Sequence, residues 1–101
     1  MRFNKLVRDK IPDLLKEKGI SQISHVSSVK EYPEKLKSKL QEEVNEFLIT
    51  PNEEELADIF EVINELCDFY KIDKSKVEKV RKEKARKKGT FKSRIILNET
   101  N

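Results

Sequence analysis

Two adjacent runs of helical periodicity constrain the fold of this 101-residue chain more than any other feature of its sequence. Apolar residues recur at helical spacing in both runs, and only a few residues separate them. In this link, Thr50 can cap a helix, Pro51 fits its first turn and Glu53 is placed for a capping box. Because the link is short, we expect the two helices to pack antiparallel as a hairpin. The apolar positions are Leu36, Leu40, Val44, Phe47 and Leu48 in the first run, and Leu56, Ile59, Phe60, Ile63, Leu66, Cys67 and Tyr70 in the second.

Local start and stop signals give the limits of four helices. Pro12 and Gly19 predict a short helix over residues 11–18. An aspartate before residues 74–88 and a glycine after them predict a fourth helix there. The segments expected to be irregular or extended are residues 1–10, residues 20–27, where a short strand is the alternative, and residues 91–97.

Two alternative signals mark the start of the first hairpin helix. The first begins either at a capping box of Ser28 and Glu31 or one turn later at Pro33, and it runs to about Leu48. The second covers about residues 51–70.

These patterns predict an all-α protein with a single domain over residues 1–101. It consists of an antiparallel helical hairpin or bundle of about four helices, completed by oligomerisation because so short a chain buries only a thin core. Charged residues make up 41% of the chain, but the periodic apolar residues favour amphipathic helices over disorder. The single cysteine excludes an intrachain disulfide, and no apolar run suits a signal peptide or a membrane span. We therefore expect a cytoplasmic location and no membrane partner.

Carboxylates in the hairpin are the strongest indication of chemistry. Glu43 and Glu46 share one face of the first helix, and Glu55 and Asp58 share one face of the second. The antiparallel arrangement brings these faces together beside the link, with Glu55 inside the apolar arc of its helix. Carboxylates directed toward a core are costly unless they are paired or bind a metal, and Mg²⁺ prefers such oxygen ligands. The alternatives are chance, since the chain has 14 glutamates, and an ordinary surface ion pair between Lys39 and Glu43.

Basic segments near the two ends of the chain offer anion-binding groups. In the first, Arg8 can contact a phosphate with two hydrogen bonds, while Lys5 offers a point charge and Asn4 a polar group. In the second, Lys84 and Arg94 lie on either side of a glycine turn. Taken alone, both segments are also typical of solvated basic surface and of lysines that complement a helix dipole.

Three segments together resemble the MazG-like, all-α nucleoside triphosphate pyrophosphohydrolases. They resemble most closely the small branch described as phosphoribosyl-ATP pyrophosphohydrolase-like. The opening NKLVRDKIP (residues 4–12) is distinctive for that branch. LQEEVNEF (residues 40–47) and EELADIFEVI (residues 54–63) contain the E-x-x-E and E-x-x-D metal signature of the superfamily. KARKKGTFKSRI (residues 84–95) resembles the closing segment of the branch, although KGTF stands where an Arg-Gly-Gly-Phe-like turn is common.

The resemblance implies a function. A nucleotide, either a nucleoside triphosphate or a compound like phosphoribosyl-ATP, would be hydrolysed to a monophosphate and pyrophosphate with Mg²⁺, or Mn²⁺ in its place. The protein would assemble as a homodimer or higher homo-oligomer, and its role would be nucleotide house-cleaning or a pathway step. The short link between the two signatures argues against the substrates of larger relatives. By the resemblance, the catalytic and metal-binding residues are Glu43, Glu46, Glu55 and Asp58, and the substrate-binding residues are Asn4, Lys5, Arg8, Lys84 and Arg94.

Two non-enzymatic functions compete with this hypothesis. A nucleic-acid-binding module would use the basic ends, but it leaves the inward carboxylates unexplained and lacks aromatic residues among the lysines. Nucleic acid is therefore an improbable partner. A helical oligomerisation module with an inactive site would dimerise without binding Mg²⁺ or nucleotide.

Overall fold

The computed structural model describes residues 3–101 and contains four helices. No strand occurs among these described residues, so the predicted all-α class of about four helices is confirmed. Residues 20–27 are irregular rather than a strand, and the segment after the last helix begins with a turn rather than an extended chain. No described helix is both long enough and apolar enough to cross a membrane. The helices are α1 (Ile11–Glu17), α2 (Glu31–Ile49), α3 (Glu53–Tyr70) and α4 (Lys74–Lys88).

The chain divides into two compact units, of which the first ends at Tyr70 and the second covers Lys71–Asn101. The first unit contains α1, α2 and α3, and the second contains α4 with the C-terminal tail. The description of residues 1–101 as a single domain stays a prediction.

The α2–α3 pair forms the predicted antiparallel hairpin. Near its open end, the Tyr32 ring at the start of α2 meets the Phe69 ring at the end of α3, edge to face, with centroids 5.6 Å apart. The buried apolar side chains of the described residues all belong to this pair, namely Leu36, Ile59, Val62 and Cys67. Burial of these side chains is the main apolar stabilisation of the first unit.

The start of α3 differs from the sequence prediction. Asn52, and not Thr50, caps the helix: its Oδ1 accepts a hydrogen bond of 2.8 Å from the Glu55 backbone N–H. Thr50 instead follows the C-terminal end of α2, and its N–H donates to the Glu46 carbonyl at 2.9 Å. The shift of two residues has a local cause, because asparagine is as good an N-cap as threonine and here it lies next to the first helical residue. Of the two starts predicted for α2, the earlier one is correct, since Ser28 Oγ accepts from the Glu31 N–H at 3.1 Å.

Part of the predicted buried face of the hairpin is exposed. Phe60 is 62% exposed, and Leu48, Ile63 and Tyr70 are exposed as well. The apolar arc of α3 is wider than one neighbouring helix can cover, and α2 is the helix that packs against it. The uncovered part is an apolar stripe along α3, which we call the α3 stripe. It consists of Leu56, Phe60, Ile63 and Tyr70.

Helices α1 and α4 have the predicted ends. Gly19 adopts a positive φ of 74°, and the Ile20 N–H reaches back to the Leu15 carbonyl at 2.9 Å, a Schellman-type stop for α1. At the start of α4, Asp73 accepts hydrogen bonds from the backbone N–H groups of Ser75 and Lys76. Gly89, with a φ of 85°, follows its last turn.

Candidate metal centre

Three carboxylates from the two hairpin helices meet beside the link. Oxygen atoms of Glu43 on α2 and of Glu55 and Asp58 on α3 all lie within 4.8 Å of one another. We call this group the acidic cluster. Glu46, the fourth predicted ligand, is exposed and outside this group, so its role as a ligand stays a prediction.

The hairpin geometry explains why these residues meet. Glu43 lies in the last two turns of α2, and Glu55 and Asp58 lie in the first two turns of α3. In an antiparallel pair with a short link, these turns are neighbours. The cap at Asn52 also fixes the Glu55 backbone through the hydrogen bond to its N–H. The cluster therefore follows from the register of the hairpin.

Burial makes the acidic cluster unusual among the carboxylates of this chain. Glu43 is only 6% exposed and is the one buried charged residue among residues 3–101. Glu43 Oε2 and Glu55 Oε2 are buried and have no hydrogen-bond partner within the described part of the chain. An unsatisfied buried carboxylate oxygen costs free energy that a proton or a bound cation would recover.

The electrostatics of Glu43 follow from this burial. Burial raises the pKa of its carboxyl group, and the nearby charges of Glu46 and Asp58 raise it further. A hydrogen bond and the positive charge of Lys39 oppose this rise without cancelling it. The positive charge of Lys39 thus does not offset burial and the neighbouring carboxylates.

Lys39 lies beside the cluster as a largely buried cation. Its Nζ is 3.2 Å from Glu43 Oε1 and 3.1 Å from Glu42 Oε2, and its side chain is 17% exposed. Burial alone would lower the pKa of Lys39, but the hydrogen bonds with the two glutamates outweigh it and raise the pKa. The ion pair that the sequence suggested as a surface alternative is therefore present, but it is largely buried and coexists with the cluster.

Glu42 connects this buried pair to the N-terminal segment. Lys5 Nζ approaches Glu42 Oε1 at 2.7 Å. The hydrogen bond from Lys5, and then the one from Lys39, hold the pKa of Glu42 below its usual value. A second contact joins the same segment to α2, because Lys35 Nζ donates to the Asn4 carbonyl at 2.5 Å.

Arg8 contacts the acidic cluster directly. Its Nη2 lies 2.8 Å from Asp58 Oδ1, with the Arg8 side chain 57% exposed. Of the predicted substrate-binding residues, Asn4, Lys5 and Arg8 therefore lie on or next to the hairpin face that carries the carboxylates. Arg8 is the one whose side chain contacts a cluster residue.

The remaining predicted substrate-binding residues belong to the second unit. Lys84 is an exposed residue of α4. Arg94 adopts a φ of 59° and donates its backbone N–H to the Phe91 carbonyl at 3.2 Å. Their contact with a nucleotide stays a prediction.

Sequence reasoning did not assign functions to Lys39 or Glu42. Lys39 was visible as a partner for Glu43 at a spacing of four residues, but the spacing alone did not show its burial. The signal that could have found it is its spacing of three residues from Leu36, one of the periodic apolar positions of α2. Glu42 could not be found in this way, because its contact with Lys5 spans 37 residues of sequence.

The donor set of the cluster fits a divalent cation. It offers carboxylate oxygens alone, which suit hard ions such as Mg²⁺ or Mn²⁺ and not a soft metal. Two of its oxygens are buried without a partner, so an ion bound there would replace missing hydrogen bonds. The cluster could therefore hold a metal ion.

Comparison with known proteins adds no family assignment. Scans against family models, curated proteins and solved structures gave no significant match to this chain.

Proposed function

We propose that this protein is a Mg²⁺-dependent nucleotide pyrophosphohydrolase of the MazG-like superfamily. One observation supports this proposal above all others. Three carboxylates meet on the hairpin, and two of their oxygens are buried without a hydrogen-bond partner. Surface carboxylates that meet by chance are solvated and would not show this burial.

The reaction would break a phosphoanhydride bond of the nucleotide. Water adds to a phosphorus atom, the bridging oxygen leaves with the other phosphate group, and a monophosphate and pyrophosphate are released. Glu43, Glu55 and Asp58 would hold the metal, with Glu46 as the further ligand that the resemblance implies. A magnesium ion supplies Lewis-acid chemistry at such a site, because it neutralises phosphate charge and lowers the pKa of water.

The cations near the cluster would bind the phosphate chain. Arg8 and Lys5 lie on the N-terminal segment, where Arg8 already touches Asp58. Guanidinium and ammonium groups at this position offset the charge of a triphosphate. Asn4, Lys84 and Arg94 are further candidates on the strength of the resemblance. The role of this activity would be nucleotide house-cleaning or a step in a pathway.

The enzymatic proposal predicts loss of activity in conservative cluster variants. Purified protein with Mg²⁺ and a panel of NTPs, dNTPs and phosphoribosyl-ATP should release pyrophosphate. Glu55→Gln and Asp58→Asn remove charge but keep shape, and we expect at least about a 100-fold loss of kcat/KM, the size typical of a lost transition-state charge contact.

Glu54→Gln is the matched control for these variants. Glu54 is exposed in the first turn of α3, next to Glu55, and lies outside the cluster. This variant should keep wild-type activity. Equal activity in all three variants would show that the cluster is not the active site.

We also propose that a second copy of the chain covers the α3 stripe. The stripe is a row of exposed apolar side chains on a helix of 18 residues, and exposed apolar surfaces of this kind mark association sites. Phe60→Glu should therefore convert a homo-oligomer into a monomer in sedimentation analysis. Leu97→Glu, a change at an exposed residue outside the stripe, should leave the oligomer intact. A wild-type protein that is already monomeric would refute this proposal.

A further inference from the structure

Two cations contact the acidic cluster, and they are held in different ways. Lys39 is bound on two sides, by Glu42 and by the buried Glu43, with its side chain 17% exposed. Within residues 3–101, Arg8 makes one ion pair, from Nη2 to Asp58 Oδ1, and its side chain is 57% exposed. A doubly held, buried ion pair is costly to break, whereas an exposed pair contributes about 1 kcal/mol or less.

From this difference we infer that Arg8 is an exchangeable cation that couples metal binding to anion binding. Without a bound metal ion, the Arg8 guanidinium forms an ion pair with Asp58. When a divalent cation takes that carboxylate, Arg8 is released and its donors become available to a phosphate group beside the cation. Lys39 stays in place in both states. This inference rests on the proposed metal centre.

The geometry of Arg8 suits such an exchange. A guanidinium group has five N–H donors, and within residues 3–101 one of its nitrogens is engaged with a carboxylate. The remaining donors suit a phosphate, which guanidinium groups bind with paired hydrogen bonds. The segment is anchored on α2 through Lys5 and through the Asn4 carbonyl. A released Arg8 side chain would therefore stay near the cluster.

The exchange predicts that one substitution changes two affinities in opposite directions. In Arg8→Gln, Mg²⁺ no longer competes with an internal cation, so Mg²⁺ alone should bind up to about fivefold more tightly. Inorganic pyrophosphate, added to the Mg²⁺-saturated protein, should bind about tenfold or more weakly because charged hydrogen bonds are lost. Isothermal titration calorimetry measures both values. Arg8→Lys, which keeps the charge, should lie between the two proteins in both measurements.

Lys37→Gln is the matched control. Lys37 is an exposed lysine of α2 that pairs with Glu34, and neither residue belongs to the acidic cluster. Its loss should leave the affinity for Mg²⁺ alone unchanged. A melting curve of each variant shows whether it is folded.

The possible outcomes separate this inference from the proposed function. If wild-type protein binds Mg²⁺ and Arg8→Gln binds it equally well or more weakly, the exchange is wrong while the metal centre stands. If the wild type does not bind Mg²⁺ at all, both proposals are wrong. Tighter binding of Mg²⁺ together with weaker binding of pyrophosphate in Arg8→Gln supports the exchange, because a merely structural defect would weaken the binding of both.

Discussion

The two units of this chain form helices by different physical means. The first unit carries 10 basic and 15 acidic residues, and its helices α2 and α3 bury apolar side chains against each other. The second carries 12 basic and 4 acidic residues, and α4 has no buried side chain. The comparison shows that this chain contains a helix pair that buries apolar side chains and a helix, α4, that buries none.

Local contacts define the ends of α4 and pair some of its charged side chains. Asp73 caps its first turn, and Gly89 follows its last turn. Along the helix, Arg81 pairs with Glu78 and Arg86 pairs with Glu83, each at a spacing of three residues. Such pairs contribute a few tenths of a kcal/mol to a helix. The hairpin, by contrast, depends on contacts between residues that are distant in sequence.

The contrast between the two units predicts the largest loss of stability for a substitution in the hairpin core. Leu36 is 1% exposed, so Leu36→Ala should destabilise the first unit by about 2–5 kcal/mol through lost burial and a cavity. Leu97→Ala makes the same chemical change at an exposed position of the second unit and should change stability by about 0.5 kcal/mol at most. Chemical denaturation followed by circular dichroism measures both. Similar losses of stability in the two variants would contradict the contrast between the units.

A smaller, pH-dependent change in stability is expected for a substitution of Glu42. Because Lys5 and Lys39 lower its pKa in the folded state, ionised Glu42 stabilises the fold at a pH above the usual carboxyl value of 4.5. This contribution is lost as the pH falls through the lowered pKa. The wild type should therefore exceed Glu42→Gln in stability by about 1 kcal/mol near neutral pH.

Denaturation curves of both proteins at several pH values test this expectation. The difference between them should shrink toward zero in acid, because both side chains are then neutral. If the stability difference between the two proteins grew as the pH fell, the predicted direction of the pH dependence would be wrong. Glu54→Gln, at an exposed glutamate that no described ion pair holds, should show little pH-dependent difference from the wild type.

The smallest effect on the structure of the whole protein is expected for a substitution of Asp73. Asp73→Ala removes the cap from α4 and should reduce helix content between Lys74 and Lys88. Asp73→Asn, which can still accept these hydrogen bonds, should preserve it. Amide chemical shifts along the chain would show the change, and shifts in the hairpin should stay constant. Loss of the hairpin signals in Asp73→Ala would mean that the second unit stabilises the first.

Much of the secondary structure could be predicted because its signals are local. The Gly19 stop, the Asp73 cap and the start of α2 at Ser28 and Glu31 each depend on a few neighbouring residues. The start of α3 was predicted two residues too early because Thr50 and Asn52 are both good caps. The convergence of Glu43, Glu55 and Asp58 also followed from the sequence, because a short link fixes which turns are neighbours.

The sequence by itself thus determined the four helices and the face on which the carboxylates gather, since spacing and capping act over a few residues. Tertiary structure decided the rest. It determined which part of the α3 apolar arc α2 covers, leaving Phe60 exposed, and it placed the largely buried Lys39 beside Glu43. It also placed Arg8 on Asp58, 50 residues away in the chain. The reason is physical: burial and long-range ion pairs depend on how whole helices pack, and periodicity within one helix does not contain that information.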